Sequence, residues 1–255
     1  MEKLLLIDHH CHIISKYYQD PIEIIRSNLS EGIVEIHSMG LDFDSSLELI
    51  KMKRNLGVSG LKIGVGIHPL EVEDLGDYAS HEYDRVRELL ERYYEYIDYI
   101  GEIGIDLKRS QKHKNIQIEI FTKMLELAIT FDKPVSVHIR DSFDEVYYSI
   151  QSVLKKHNRK RIRGFWHCFT GTYDQGKAIL DIGLKLGLSA IVMYPHSREL
   201  RETVFRISNL SSDVNEIFGL ETDSPYLNID RSTEKQNEPK SIIETKRKIL
   251  SAYHY

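Results

Sequence analysis

The chain has 255 residues, of which 41% are hydrophobic and 29% charged, and its 34 basic against 39 acidic side chains give a formal charge of -5. This composition excludes a disordered, collagenous or coiled-coil chain. The acidic balance excludes a protein that coats nucleic acid through a global positive field, but not an enzyme that grips a phosphate locally.

The apolar run at the N-terminus stops at Asp8, too short for a signal-peptide core. The first strand is expected over 3–12. Further strands follow over 32–37, 61–68, 99–103, 134–140, 162–169, 184–189 and 215–222. Helices are expected over 21–30, 44–56, 79–96, 114–131, 142–157, 174–182, 197–207 and 239–252. Strand and helix alternate, which implies parallel pairing with helices covering the strands. Eight such units in this length predict one domain over 1–255, an α/β (β/α)8 TIM-type barrel. A doubly wound open sheet is the alternative, but no Gly-rich phosphate-binding signature follows the first strand. Asp20-Pro21 and Asn237-Glu238-Pro239 place proline near helix starts, where its missing N–H costs nothing.

The strand ends carry the chemistry. The first ends Asp8-His9-His10-Cys11-His12. Simple alternation puts Asp8, His10 and His12 on one face, with His9 and Cys11 aimed into the helix layer. An H-x-H pair suits one metal ion, since imidazole nitrogen ligates zinc and similar ions. The fourth strand holds Glu102 between glycines in an apolar run, where a carboxylate is costly unless paired or metal-bound. The fifth ends on His138 and Arg140, the sixth on His167, and the eighth on Glu221 and Asp223. Barrel active sites lie at the C-terminal ends of the strands, so His10, His12, Glu102, His138, His167 and Asp223 are expected to converge. They exceed what one tetrahedral ion needs. Two divalent ions (Mg²⁺, Mn²⁺ or Zn²⁺) about 3.5–4 Å apart, bridged by Glu102, would use them. Such a pair activates water for hydrolysis, and phosphodiester cleavage is a natural use.

At these residues the sequence resembles the TatD family of metal-dependent hydrolases, the TatD-type deoxyribonucleases. The matching stretches, in family order, are Asp8–His12, Gly66-Ile67-His68-Pro69, Gly101–Asp106, His138-Ile139-Arg140-Asp141, His167-Cys168-Phe169, Leu220–Leu227 and Asn237-Glu238-Pro239. The resemblance implies a TIM-type barrel, a dinuclear metal site and hydrolysis of DNA, often from the 3′ end. It implies that His10 and His12 hold one ion with Asp223, that Glu102 bridges, and that His138 and His167 hold the second. Asp223 would also orient or deprotonate the attacking water, so Asp223 and Glu102 are the catalytic candidates. The chain departs from the pattern at Leu107-Lys108-Arg109-Ser110, where an aromatic pair is common, at Lys123-Met124, and in ending about one helix early.

His68 and Arg140 are candidate substrate contacts. His68 could equally be a turn histidine, and Arg140 an ion-pair partner of Glu221 or Asp141. Glu221 reads as a carboxylate behind the ligands. Cys11 and Cys168 read as small buried hydrophobes rather than ligands, and no disulfide framework is expected. Phe169 and Tyr226 lie near the rim, either packing under a loop or stacking on a base. The basic run 155–163 joins a helix to the sixth strand, on the face opposite the site, and reads as solvated. DNA is expected as a transient substrate without a stable complex. No stretch approaches ~18 apolar residues, so no membrane span and a cytoplasmic location are expected. Two rivals are an amidohydrolase-type barrel acting on amides or esters, and a non-catalytic nucleic-acid-binding barrel.

Overall fold

The computed structural model describes residues 5–233 and 235–252. Eight strands form one parallel sheet in the order β1 to β8. They are β1 (Ile7–Cys11), β2 (Glu35–Met39), β3 (Leu61–Val65), β4 (Tyr99–Asp106), β5 (Val135–Arg140), β6 (Gly164–Trp166), β7 (Leu184–Leu188) and β8 (Phe218–Leu220). Beyond β8 the chain returns to β1: Asp223 N–H donates to the His10 carbonyl at 2.9 Å, and His12 N–H to the Ser224 carbonyl at 2.7 Å. Those bonds close the barrel, which is a single TIM-type domain. Residues 3 and 4 of the expected first strand lie outside the described residues, as does His254.

The helices that cover it are α1 (Pro21–Ser30), α2 (Phe43–Leu56), α3 (Pro69–Leu75), α4 (Ala79–Tyr93), α5 (Lys114–Thr130), α6 (Phe143–Lys156), α7 (Tyr173–Asp181), α8 (Arg198–Ser208) and α9 (Ile242–Ala252). Local chemistry starts them: the Asp20 side chain accepts from Glu23 N–H, and reciprocal side-chain caps open α2 at Asp42 and α7 at Thr172. The sequence reading missed α3. Its signal is Pro69 at the first helical position with His68 as the cap, Nδ1 accepting from Leu70 N–H at 3.1 Å. The core between barrel and helices is aliphatic, with Ile36, Ile63, Val65, Ile100, Val137 and Leu186 fully buried.

Two strands carry an extra residue. Between Asp8 and Cys11, β1 advances three residues while β2 advances two; β4 does the same between Ile100 and Ile103 against β5. Such a bulge resets which side chains face in. The His9 ring stacks on Phe165 of β6 with centroids 4.3 Å apart and meets His37 of β2 edge-on at 4.9 Å. Contacts to strands that are not neighbours can only be made through the lumen. The alternation expected for β1 is therefore corrected: His9 and His10 both point inward, while Asp8 turns to β8 and accepts from Thr222 N–H (2.9 Å) and Oγ1–H (2.5 Å). Cys11 is fully buried, as expected of a small apolar side chain, its Sγ donating to the His37 carbonyl.

Candidate metal centre

The upper lumen gathers all six residues. His10 and His12 present their Nε2 atoms 3.2 Å apart, and Glu102 Oε2 lies 3.4 Å from the first and 3.2 Å from the second. Glu102 Oε1 faces the other way, 2.8 Å from His138 Nδ1. The His167 ring stacks on His10 at 3.6 Å, and its Nε2 is 3.7 Å from Asp223 Oδ1. The same Asp223 oxygen is 3.6 Å from His12 Nε2 and 3.9 Å from His10 Nε2. The groups His10–His12–Glu102, His10–His167–Asp223 and His68–Glu102–His138 each bring three donor atoms within 4.8 Å of one another. Imidazole nitrogens and carboxylate oxygens packed this closely are the kind of donor set that holds a divalent cation.

Each imidazole is held from behind. His12 Nδ1–H donates to the Met39 carbonyl (2.9 Å) and His10 Nδ1 meets Ser136 Oγ (2.7 Å). His167 Nδ1 faces Glu221 Oε1 at 3.1 Å, and that oxygen also accepts Cys168 N–H at 2.6 Å. His138 is inverted: its Nε2 faces Asp106 Oδ2 at 3.2 Å, leaving Nδ1 to the cluster. These partners fix which nitrogen keeps a lone pair for a ligand. Glu221 thus stands where the sequence reading put it. Asp106 and Ser136 were not singled out, although Asp106 lies four residues beyond Glu102 on the same strand face.

His68 lies closer to the cluster than expected. Its Nε2 is 3.3 Å from His138 Nδ1 and 3.8 Å from Glu102 Oε2. Because Leu70 N–H occupies the Nδ1 lone pair, neutral His68 carries its proton on Nε2 and is a donor into the site. Arg140 is exposed at the mouth and makes none of the ion pairs considered for it: Asp141 pairs with Lys108 at 3.4 Å, and Glu221 is spent on His167. Phe169 is buried in the core, so of the two rim aromatics only Tyr226 is exposed, at 47%. The basic run is solvated and partly paired, Lys156 with Glu126 and Arg163 with Asp132. Cys168 Sγ meets Ser189 Oγ at 3.4 Å.

Charge is balanced inside this buried cluster. Burial would raise Glu102, yet the imidazoles of His68, His10 and His12 hold it well below the usual carboxylate range. Burial opposes charge on His138, but hydrogen bonds to Asp106 and Glu102 outweigh it and lift the pKa to about 9. At His167 burial is outweighed by the charges of Glu221 and Asp223, giving about 10. Asp223 is pushed up to about 6 by burial, against the pull of His167 and His12. Burial drops His68 to about 3, which keeps it neutral.

A closed parallel barrel with this donor set at its C-terminal mouth defines a metal-dependent hydrolase. The profile of the family described as TatD related DNase matches residues 7–254, and the chain belongs to that family. It is 28% identical over 246 residues to the uncharacterized metal-dependent hydrolase BU355 of Buchnera aphidicola, covering 92% of this chain and 87% of that protein. It is 25% identical over 239 residues to the uncharacterized metal-dependent hydrolase YabD of Bacillus subtilis, covering 93% and 87%. Among solved structures it is similar to YjjV, a TatD homolog from Escherichia coli, at a TM-score of 0.81 and 22% identity over 96% of this chain and 89% of that one. A TatD-family hydrolase from Entamoeba histolytica gives 0.79 and 21%, over 98% and 92%. Among the described residues no helix is long and apolar enough to cross a membrane.

Proposed function

We propose that this hydrolase cleaves phosphodiester bonds, with DNA bound transiently and degraded from its 3′ end, at a pair of divalent ions. The observation that carries the reading is the opposed arrangement of the Glu102 oxygens, one toward His10 and His12, the other toward His138. That arrangement suits a bridging carboxylate. His10, His12 and Asp223 would hold one ion, and His138 and His167 the other. Bound divalent ions supply Lewis acidity and lower the pKa of water.

The chain's own residues do the rest. Asp223 is the ligand carboxylate with an open side, its side chain 17% exposed, and it takes the proton of the attacking water. The water oxygen bonds to phosphorus, the bond from phosphorus to the leaving sugar oxygen breaks, and that oxygen takes a proton from solvent. His68 Nε2–H and the guanidinium of Arg140, which has no ion-pair partner among the described residues, would donate to the non-bridging oxygens, whose charge grows in the transition state. The test is cleavage of 3′-labelled single-stranded DNA with Mg²⁺ or Mn²⁺, with and without chelator. Metal-dependent shortening from the 3′ end is expected; no cleavage with any divalent metal overturns the reading.

Metal uptake should be steeply pH-dependent. His138 and His167 are protonated at neutral pH in the metal-free protein, since their pKa values of about 9 and 10 lie above the ordinary ~6.5. Their contribution to metal-free stability is present below about pH 6.5 and is lost as the pH rises through 9 to 10. Ions must displace those protons, so affinity should rise with pH until it levels off through about pH 9 to 10, by up to tenfold per pH unit for each proton released. Titration calorimetry in buffers of different ionisation enthalpy counts the protons; zero release would show that the ions avoid these histidines.

Glu221 should set the affinity of the His167 side. A Cβ at Gly187 would sit 2.2 Å from Glu221 Oε2, so this glycine leaves the room the carboxylate occupies. Gly187→Ala pushes Glu221 off His167, and Glu221→Gln keeps an acceptor but removes the charge. A loss of about 10- to 100-fold in affinity for one ion is expected in each, read by metal titration. Wild-type affinity in both variants would remove Glu221 from this role.

A further inference from the structure

Behind His167 lies a group of donors that the reaction above does not use. β6 ends at Trp166, so strand alternation does not carry on to the residues after it. His167 turns Nε2 to the lumen, 3.7 Å from Asp223 Oδ1. Cys168 has φ of 49°, a left-handed conformation that is uncommon for any residue but glycine. The sequence reading took Cys168 for a small buried hydrophobe. Its Sγ, a His167 ring nitrogen and a Glu221 carboxylate oxygen nevertheless lie within 4.8 Å of one another. The nitrogen that faces Glu221 is Nδ1, at 3.1 Å.

The bonding of this group is incomplete. Glu221 is fully buried, and only its Oε1 is used, accepting Cys168 N–H at 2.6 Å. Its Oε2 has no hydrogen-bond partner among the described residues. His167 Nδ1 also lacks one, because the nearby Oε1 pairs with it by charge but lies off the direction of a hydrogen bond. A bare, buried carboxylate oxygen is costly. Gly187 nonetheless keeps its space free, since a Cβ there would sit 2.2 Å from Oε2. The two thiols differ in the same sense. Cys11 is fully buried and spends its thiol on a backbone carbonyl. Cys168 is half-buried, so an ion can reach it from solvent, and its Sγ meets only the Ser189 hydroxyl, at 3.4 Å.

One sulfur, one imidazole nitrogen and one carboxylate select a thiophilic divalent cation; Mg²⁺ and Mn²⁺ prefer oxygen throughout. We propose that Cys168 Sγ, His167 Nδ1 and Glu221 hold one cation of the Zn²⁺ class, in addition to whatever the lumen cluster binds. Water fills the fourth position of a tetrahedral set. Bonds from the ion to sulfur and to Nδ1 form as the S–H and N–H bonds break. Both protons pass to solvent, and one divalent charge replaces two single ones. When an ion also occupies the lumen, the His167 ring serves both, Nε2 for one and Nδ1 for the other. The site goes beyond the phosphodiesterase reading and does not depend on it.

The test is metal uptake by the stripped protein, Cd²⁺ against Mn²⁺, read by equilibrium dialysis and by the ultraviolet charge-transfer absorption of a cadmium–thiolate bond. Wild type should take up one equivalent more of Cd²⁺ than of Mn²⁺ and show the absorption. Zn²⁺ should bleach it and Mg²⁺ should not. Cys168→Ser keeps the size of the side chain but replaces the sulfur, and should lose both the extra equivalent and the absorption; Cys11→Ala should keep both. Glu221→Gln should weaken Cd²⁺ at this position by about tenfold or more, since a lost ligand costs at least what a lost partner of a ligand does. Equal uptake of the two metals or no absorption in wild type overturns the site, whether or not the variants fold. So does absorption that survives in Cys168→Ser, or Cd²⁺ affinity unchanged in Glu221→Gln, which would mean that the thiol binds alone.

Discussion

Glu102→Gln should abolish turnover, by about 10³-fold or more, and strip the protein of stoichiometric metal. Glu102 is 1% exposed and keeps both oxygens on imidazoles, Oε2 on His10 and His12 and Oε1 on His138. Glutamine has the same shape, so the barrel should fold unchanged by circular dichroism. It lacks the charge that would balance cations in a buried site, and its amide N–H₂ opposes a ligand lone pair wherever it points. Two ions per chain, measured by elemental analysis of the purified variant, would show that Glu102 does not bridge.

Asp223→Asn should lower kcat by about 10²–10⁴-fold, the range for losing a general base, while KM changes little. The backbone makes this substitution clean. Asp223 has φ of 53°, a left-handed conformation that asparagine tolerates at least as well as aspartate. The Asp223 N–H bond to His10 and the chain closure it supports are kept. What is lost is an oxygen that can take a proton beside the cluster. A kcat within tenfold of wild type, with metal retained, would move the base elsewhere.

The two variants separate holding ions from using them. Glu102 is enclosed by ligands and has no route to solvent; Asp223 is at the opening. If the opposite pattern were found, with Glu102→Gln retaining metal and Asp223→Asn losing it, the division of labour between the two acids would be reversed.

Much of this was legible in the chain. Alternating strand and helix patterns pointed to the barrel because parallel strands need crossovers and eight such units fit 255 residues, and the bonds between the end of β8 and β1 decided it against an open sheet. The six ligand candidates were legible for a related reason. Strand C-termini meet at one face, so any polar residue there converges with the others however far apart in sequence. Glu102 was part of that signal, since a carboxylate in an apolar, glycine-flanked strand is costly unless it is paired or metal-bound.

What the tertiary structure alone decided is orientation. Strand alternation gives side-chain parity only while pairing is regular, and a bulge is set by the neighbouring strand. The extra residue in β1 turned His9 inward with His10 and sent Asp8 to Thr222. Likewise, no local pattern says that His138 offers Nδ1 while His167 offers Nε2. That choice belongs to Asp106 and Glu221, acids on other strands that take up the remaining nitrogen. The sequence by itself determined which residues could meet a metal; their partners across the lumen, fixed only when the barrel closes, determined which of their atoms face the cluster.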